Sequence, residues 1–106
     1  MPETKLVVLY PQPKDAAQFD KDYFEDHLPL AGSKADRWIK RAAVTKINGS
    51  AQGQAPFYLM FEGYFASDGA LQEFVQSPEA EEIVQHATAI STGGPPLMLF
   101  SNESHL

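Results

Sequence analysis

The chain has 106 residues, 43% of them hydrophobic, with 14 acidic against 8 basic side chains, a net charge of −6 and no cysteine. That length fits a single domain over residues 1–106, with roughly 60–70% of the unfolded surface hidden on folding. The negative balance, with no local cluster of Lys or Arg, argues against nucleic acid or anionic membrane as partners. Without cysteine there is no disulfide, thiolate nucleophile or Cys-ligated metal. The start, MPETKLVVLY, has neither the basic opening nor the longer apolar run of a signal peptide. No later run approaches the roughly 20 apolar residues of a membrane span, so a cytoplasmic protein is expected.

KLVVLY, residues 5–10, predicts a first strand buried on both faces and closed by the Pro-containing PQPKD. Asp15, with Gln18 three residues on, opens a helix in a capping-box arrangement. Phe19, Tyr23 and His27 recur every four residues and form one row along it. Pro29 is expected to stop the helix, because it lacks an N–H and drives Leu28 from helical geometry. RAAVTKI, residues 41–47, reads as a second strand, and the Gly-, Asn- and Ser-rich loop NGSAQGQAP suits a long hairpin connection.

FYLMFEGYFA, residues 57–66, is the strongest strand signal. Ser67 caps a second helix carrying Leu71, Phe74 and Val75, and Ser77-Pro78-Glu79 restarts it with a cap, a first-turn proline and acids at the positive dipole end. Ala80, Ile83, Val84, Ala87 and Ile90 form its apolar stripe, and Thr92-Gly93-Gly94-Pro95 ends it. PLMLF, residues 96–100, is a last strand, and the tail SNESHL is expected to fray.

The order β-α-β-β-α-β predicts an α+β, ferredoxin-like fold: a four-stranded antiparallel sheet with its helices on one face. Strand 57–65 alternates Phe57, Leu59, Phe61, Gly63 and Phe65 against Tyr58, Met60, Glu62 and Tyr64. The first set belongs under the helices. The second is too aromatic to stay in water, so a homodimer is expected, a second copy covering Tyr58, Met60, Glu62 and Tyr64. Glu62 would then need a Tyr or Lys partner from the other subunit.

The opening KLVVLYPQPKDAAQFDKDYFEDHLPLA and the middle FYLMFEGYFASDGALQEFVQSPEAEEI resemble the EthD family across nearly the whole chain. His-Leu-Pro-Leu is the most specific part. One departure follows it: family members often carry a Pro-Gly turn there, whereas this chain has GSKADRWIK, so Trp38 has no counterpart to lean on. The resemblance implies a dimeric α/β barrel with a ligand in each subunit between helices and sheet. It also implies a catabolic setting, because the family name comes from degradation of a fuel ether. Relatives of this fold include cofactor-free monooxygenases, haem-degrading enzymes, lactone isomerases and polyketide cyclases, so the fold leaves the reaction open.

His27 is the foremost candidate, an acid/base or hydrogen-bonding group in a mostly apolar pocket with Tyr23, Phe19, Leu59 and Phe61. Imidazole suits the task because its ordinary pKa lies near neutrality. The competing reading is a histidine that merely bonds the last helix carbonyls. Tyr23 could share a substrate hydrogen bond or be a plain core tyrosine. His86 is expected to be exposed at the margin of the apolar arc, and His105 lies in the tail. The polyketide cyclases carry a histidine after the Pro of the second helix, where this chain has Glu79 and Ala80, so their two-helix dyad is not expected.

No cofactor is expected. Three scattered histidines give no metal-ligand spacing, and haem held through His27 is the one alternative. Gly93-Gly94 is a turn rather than a phosphate loop, and Ser67 and Ser77 are caps rather than nucleophiles. The expectation is a protein binding a small apolar or aromatic compound. If an enzyme, it is a cofactor-free oxidoreductase, isomerase or lyase; otherwise it is a non-catalytic accessory or ligand-binding protein.

Overall fold

The computed structural model describes residues 3–106. Strands β1 (Glu3–Pro11), β2 (Ile39–Lys46), β3 (Phe57–Phe65) and β4 (Leu97–Glu103) form one sheet in the order β2-β3-β1-β4. Every neighbouring pair is antiparallel. Helices α1 (Ala16–Lys21), α2 (Leu28–Lys34), α3 (Asp68–Val75) and α4 (Pro78–Ile90) complete the βαββαβ order. This is the expected ferredoxin-like α+β fold.

The caps are where the sequence places them. Asp15 accepts from the Gln18 amide, Ser67 from that of Ala70 and Ser77 from that of Ala80, each satisfying an otherwise orphaned N–H of a first turn. Gly93 is irreplaceable for a different reason. A Cβ there would run into the Gln12 backbone carbonyl, so only glycine lets the turn after α4 pass the end of β1.

Pro29 does not end the first helical segment. Between α1 and α2 the chain makes a π-helical turn, Asp22–His27, in which the Leu28 amide reaches back five residues to the Tyr23 carbonyl, and α2 then runs on to Lys34. A proline inside an α-helix clashes with the carbonyl four residues earlier. The wider turn relieves that crowding by inserting an extra residue, and Pro29 becomes a first-turn residue of α2. The tail is also more ordered than expected. Ser101 and Glu103 continue β4 opposite Lys5 and Glu3, because the Glu103 carboxylate is held by Tyr64 and Lys5.

Pairing across the sheet sorts the side chains by face. Leu6, Val8, Tyr10, Leu59 and Phe65 point toward the helices and join Phe19, Tyr23, Trp38, Leu71 and Phe74 in the core. Lys5, Val7 and Leu9 lie opposite Tyr64, Glu62 and Met60 on the other face, with Leu97 and Leu99 beside Leu9 and Val7. Tyr58 corrects the alternation. It packs edge-on against Phe19 and donates to Asp20 at 2.9 Å, on the helix side, because the β1–β3 register shifts between Tyr10 and Pro11. Tyr58 therefore drops out of the face available to a partner. Trp38 fills the corner below α3, tilted against Phe74 and donating to Glu73 at 3.1 Å. No helix among the described residues is long and apolar enough to cross a membrane.

Candidate active site

The Phe19–Tyr23–His27 row forms as its spacing requires. Phe19 and Tyr23 stack at 13°, and Tyr23 and His27 at 30°. The π-helical turn helps: with more residues per turn, side chains four apart come closer to alignment than on an α-helix. His27 is 5% exposed, so its ring faces inward.

Two partners meet it there. The Tyr10 hydroxyl lies 3.4 Å from His27 Nε2, a long contact. On the other side, His27 Nδ1 lies 2.9 Å from His86 Nδ1. The two imidazole planes are 11° apart with centroids 5.1 Å apart. A nitrogen contact this short is closer than stacked faces approach, so the rings sit edge to edge with the N–H···N bond in their common plane.

His86 is therefore half-buried and bonded to His27, not exposed. A histidine pair between two helices, unexpected from the Ser77-Pro78-Glu79 segment, is present after all, built from a residue two turns further along α4. Ile83, His86 and Ile90 follow three- and four-residue spacing, so helical periodicity already carried that signal. Tyr10 was equally legible, as the third member of the Leu6–Val8–Tyr10 set that faces the helices.

Burial sets the protonation states. Desolvation, reinforced by the neighbouring His86, pushes the His27 pKa down to about 4. Burial pushes the Tyr10 and Tyr23 hydroxyls far above the ordinary tyrosine value, so both stay as neutral O–H groups. At neutral pH the site holds a neutral imidazole between a phenol and a second imidazole. No formal charge is present on the His27 ring or the Tyr10 hydroxyl.

A hollow of about 50 Å³ opens between the first helical segment, α4 and the sheet. Tyr10, Tyr23, His27 and Phe61 line it, and the rest of its wall is apolar, including Leu28, Ile83 and Met98. Since a water needs roughly 10–15 Å³ of such space, the hollow takes a few waters or one small group as it stands. Phe19 and Leu59 do not line it. Both are almost fully buried behind it, where Phe19 stacks on Tyr23. A groove of about 230 Å³, floored by Phe61 and bounded by Gly32, Asp36 and Ala42, shares Leu28, Ala31, Ala35, Ile39 and Phe61 with the hollow. Phe61 is thus a wall between the hollow and the surface.

A haem macrocycle is far larger than the hollow beside His27, and His27 Nδ1 already meets His86.

A protein of Rhodococcus erythropolis described as an uncharacterized 11.0 kDa protein in the thcB-thcC intergenic region is 30% identical over 100 residues, 93% of each chain. The crystal structure of an ethyl tert-butyl ether D (EthD) family protein from Bacillus halodurans C-125 superposes with a TM-score of 0.79 at 30% identity, covering 98% of this chain and 99% of that one. The chain belongs to the EthD family. No family model matches it. A dimeric ferredoxin-like protein of unknown function from Jannaschia sp. CCS1 shares the fold at a TM-score of 0.67 and 14% identity, over 99% of this chain and 100% of that one.

Proposed function

We propose that this EthD protein forms a homodimeric α/β barrel whose subunits each bind a small apolar or aromatic compound beside His27. In this reading His27 is a cofactor-free general acid/base, and Tyr10 and Tyr23 supply hydrogen bonds to the same ligand. One observation carries it: a neutral imidazole, 5% exposed and with Nε2 beside the Tyr10 hydroxyl, lines an otherwise apolar hollow. A structural cap on the helix end would instead bond backbone carbonyls. His27 bonds side chains on two other elements, and the backbone continues past it as helix. Because burial keeps the ring uncharged near pH 7, a lone pair is available to accept a proton.

Homodimerisation draws support from the outer sheet face. Leu97 and Leu99 are 46% and 40% exposed there, beside Val7, Leu9 and Met60. That apolar area, next to Glu62 and Tyr64, is more than a lone sheet leaves in water. The Glu62 carboxylate, however, already has Lys5 of its own chain at 2.6 Å and needs no partner from a second copy.

The test uses His27→Phe, which keeps a ring in place without its nitrogens. The folded variant is screened beside the wild type against small aromatic and apolar compounds, by ligand-observed NMR and by turnover. The proposal expects binders or substrates of the wild type to lose affinity or turnover in the variant; equal behaviour of the two proteins rejects the role of His27.

The hollow's size favours a second reading, a ligand-binding protein without turnover, in which binders are found and no product forms. Haem is checked by adding hemin to the purified protein, where a Soret shift dependent on His27 would replace the cofactor-free reading.

A further inference from the structure

Three groups lie in series from the hollow outward: the Tyr10 hydroxyl, the His27 ring and the His86 ring. No buried side-chain nitrogen or oxygen among the described residues lacks a hydrogen-bond partner. His86 is half-buried, its Nδ1 meets His27, and its Nε2 has no partner among the described residues, so Nε2 reaches solvent. One end of the chain is therefore dry and the other wet.

We infer that His27 and His86 form a two-ring proton relay that carries a proton between the hollow and bulk water. This rests on the acid/base reading of His27 and adds His86 as the positioning and transfer partner. In the starting state His27 carries its proton on Nδ1 and donates it to His86 Nδ1, while His86 carries its own on Nε2. A substrate X–H in the hollow gives its proton to His27 Nε2, and the X–H bonding pair stays on X. The Nδ1 proton of His27 passes to His86 Nδ1, and the Nε2 proton of His86 leaves to water. Charge balances as a substrate anion in the hollow and a proton in solvent. Both rings end in the opposite tautomer, with every hydrogen bond reversed and still satisfied: His86 Nδ1–H now donates to His27 Nδ1, and His27 Nε2–H points at the hollow and Tyr10.

The pair regains its starting tautomers when a proton returns from His27 Nε2 to the occupant of the hollow and His86 takes one back from water. A complete cycle therefore removes one proton and delivers one. That suits an isomerisation that moves a proton between two atoms of one substrate, or a lyase reaction whose product is protonated where bond cleavage leaves a carbanion. It does not by itself serve a net oxidation. The ionisable groups around the pair leave this logic intact. Tyr10 on β1 and Tyr23 on the π-helical turn are neutral, and the Lys34–Glu82 ion pair joins α2 to α4 at 3.0 Å with compensating charges. Glu25 and Asp26 are exposed, and the sheet side presents Phe61 and Met98.

The test needs no substrate. Imidazole nitrogens of the uniformly ¹⁵N-labelled full chain are observed in the wild type, His86→Phe and His86→Gln. The relay predicts a scalar coupling across the hydrogen bond between the two Nδ1 atoms in the wild type. It also predicts that the His27 ring proton exchanges with water roughly tenfold more slowly, or slower still, in His86→Phe, which keeps an aromatic ring but offers no nitrogen. His86→Gln, which accepts the hydrogen bond but passes nothing on, is slowed as well and carries the test if the Phe variant does not fold. Absence of the coupling, or unchanged exchange in a folded variant, overturns the relay. These outcomes are separate from the His27→Phe ligand screen, so a failed relay is distinguishable from a failed acid/base role of His27.

Discussion

The two faces of the sheet carry polar groups of opposite character. Toward the helices, Tyr10, Tyr23 and His27 meet without a formal charge, in an environment that disfavours one. On the other face Lys5 lies between Glu62 at 2.6 Å and Glu103 at 2.9 Å, Tyr64 donates to Glu103 at 2.7 Å, and the Arg41 guanidinium sits 3.6 Å over the Tyr64 ring while bonding Glu3. Here charges persist because each has an opposite charge beside it. The Glu103 pKa falls to about 2, chiefly through its bonds from Tyr64 and Lys5, whereas that of His27 falls to about 4 chiefly through desolvation. Both values move down, yet one shift favours a charged form and the other a neutral form. The difference leaves one face desolvated and neutral and the other a charge-matched surface.

The largest expected effect concerns assembly. Leu99→Arg puts a charge into the apolar half of the outer face, and light scattering coupled to size-exclusion chromatography should show the dimer reduced to monomers. An unchanged mass would move the interface elsewhere. Next comes the core beneath the site: Leu59→Ala, at a fully buried position, is expected to cost about 2–5 kcal/mol in urea unfolding, without the loss of ligand recognition expected of His27→Phe.

The pH response follows in size. The folded pKa of His27 lies below the ordinary 6.5, so between about 4 and 6.5 the unfolded chain binds more protons and stability falls as pH falls. That contribution is complete above pH 6.5 and amounts to about 3 kcal/mol at most. It should vanish from the acid limb of a His27→Phe stability curve. Glu103 acts lower down. Its stabilising pairing is present above its ordinary 4.5 and lost as pH falls toward about 2, so the two faces unfold their dependence in successive windows. The smallest effect is that of Glu103→Gln at neutral pH, a barely measurable change in melting temperature, because the exposed network is screened by water and salt.

Much of this was legible in residue spacing. The four-residue repeat of Phe19, Tyr23 and His27 set the inward row, and Asp15, Ser67 and Ser77 marked the helix starts. What escaped depended on contacts between distant segments. Pro29 reads locally as a stop; only the π-helical turn before it lets the helix continue. Tyr58 reads by alternation as outward, but a register shift at Pro11 turns it to α1. His86 falls 59 positions from His27, and nothing local says that the two helices bring their Nδ1 atoms to 2.9 Å. Glu62 looked unpaired because Lys5 lies on a strand 57 residues away.

The site's central property is a desolvated, uncharged imidazole at position 27, and an NMR titration of the His27 Cε1–H resonance tests it most directly. A midpoint at about 4 is the predicted result. A midpoint near the ordinary 6.5 would place that ring in water and contradict the account.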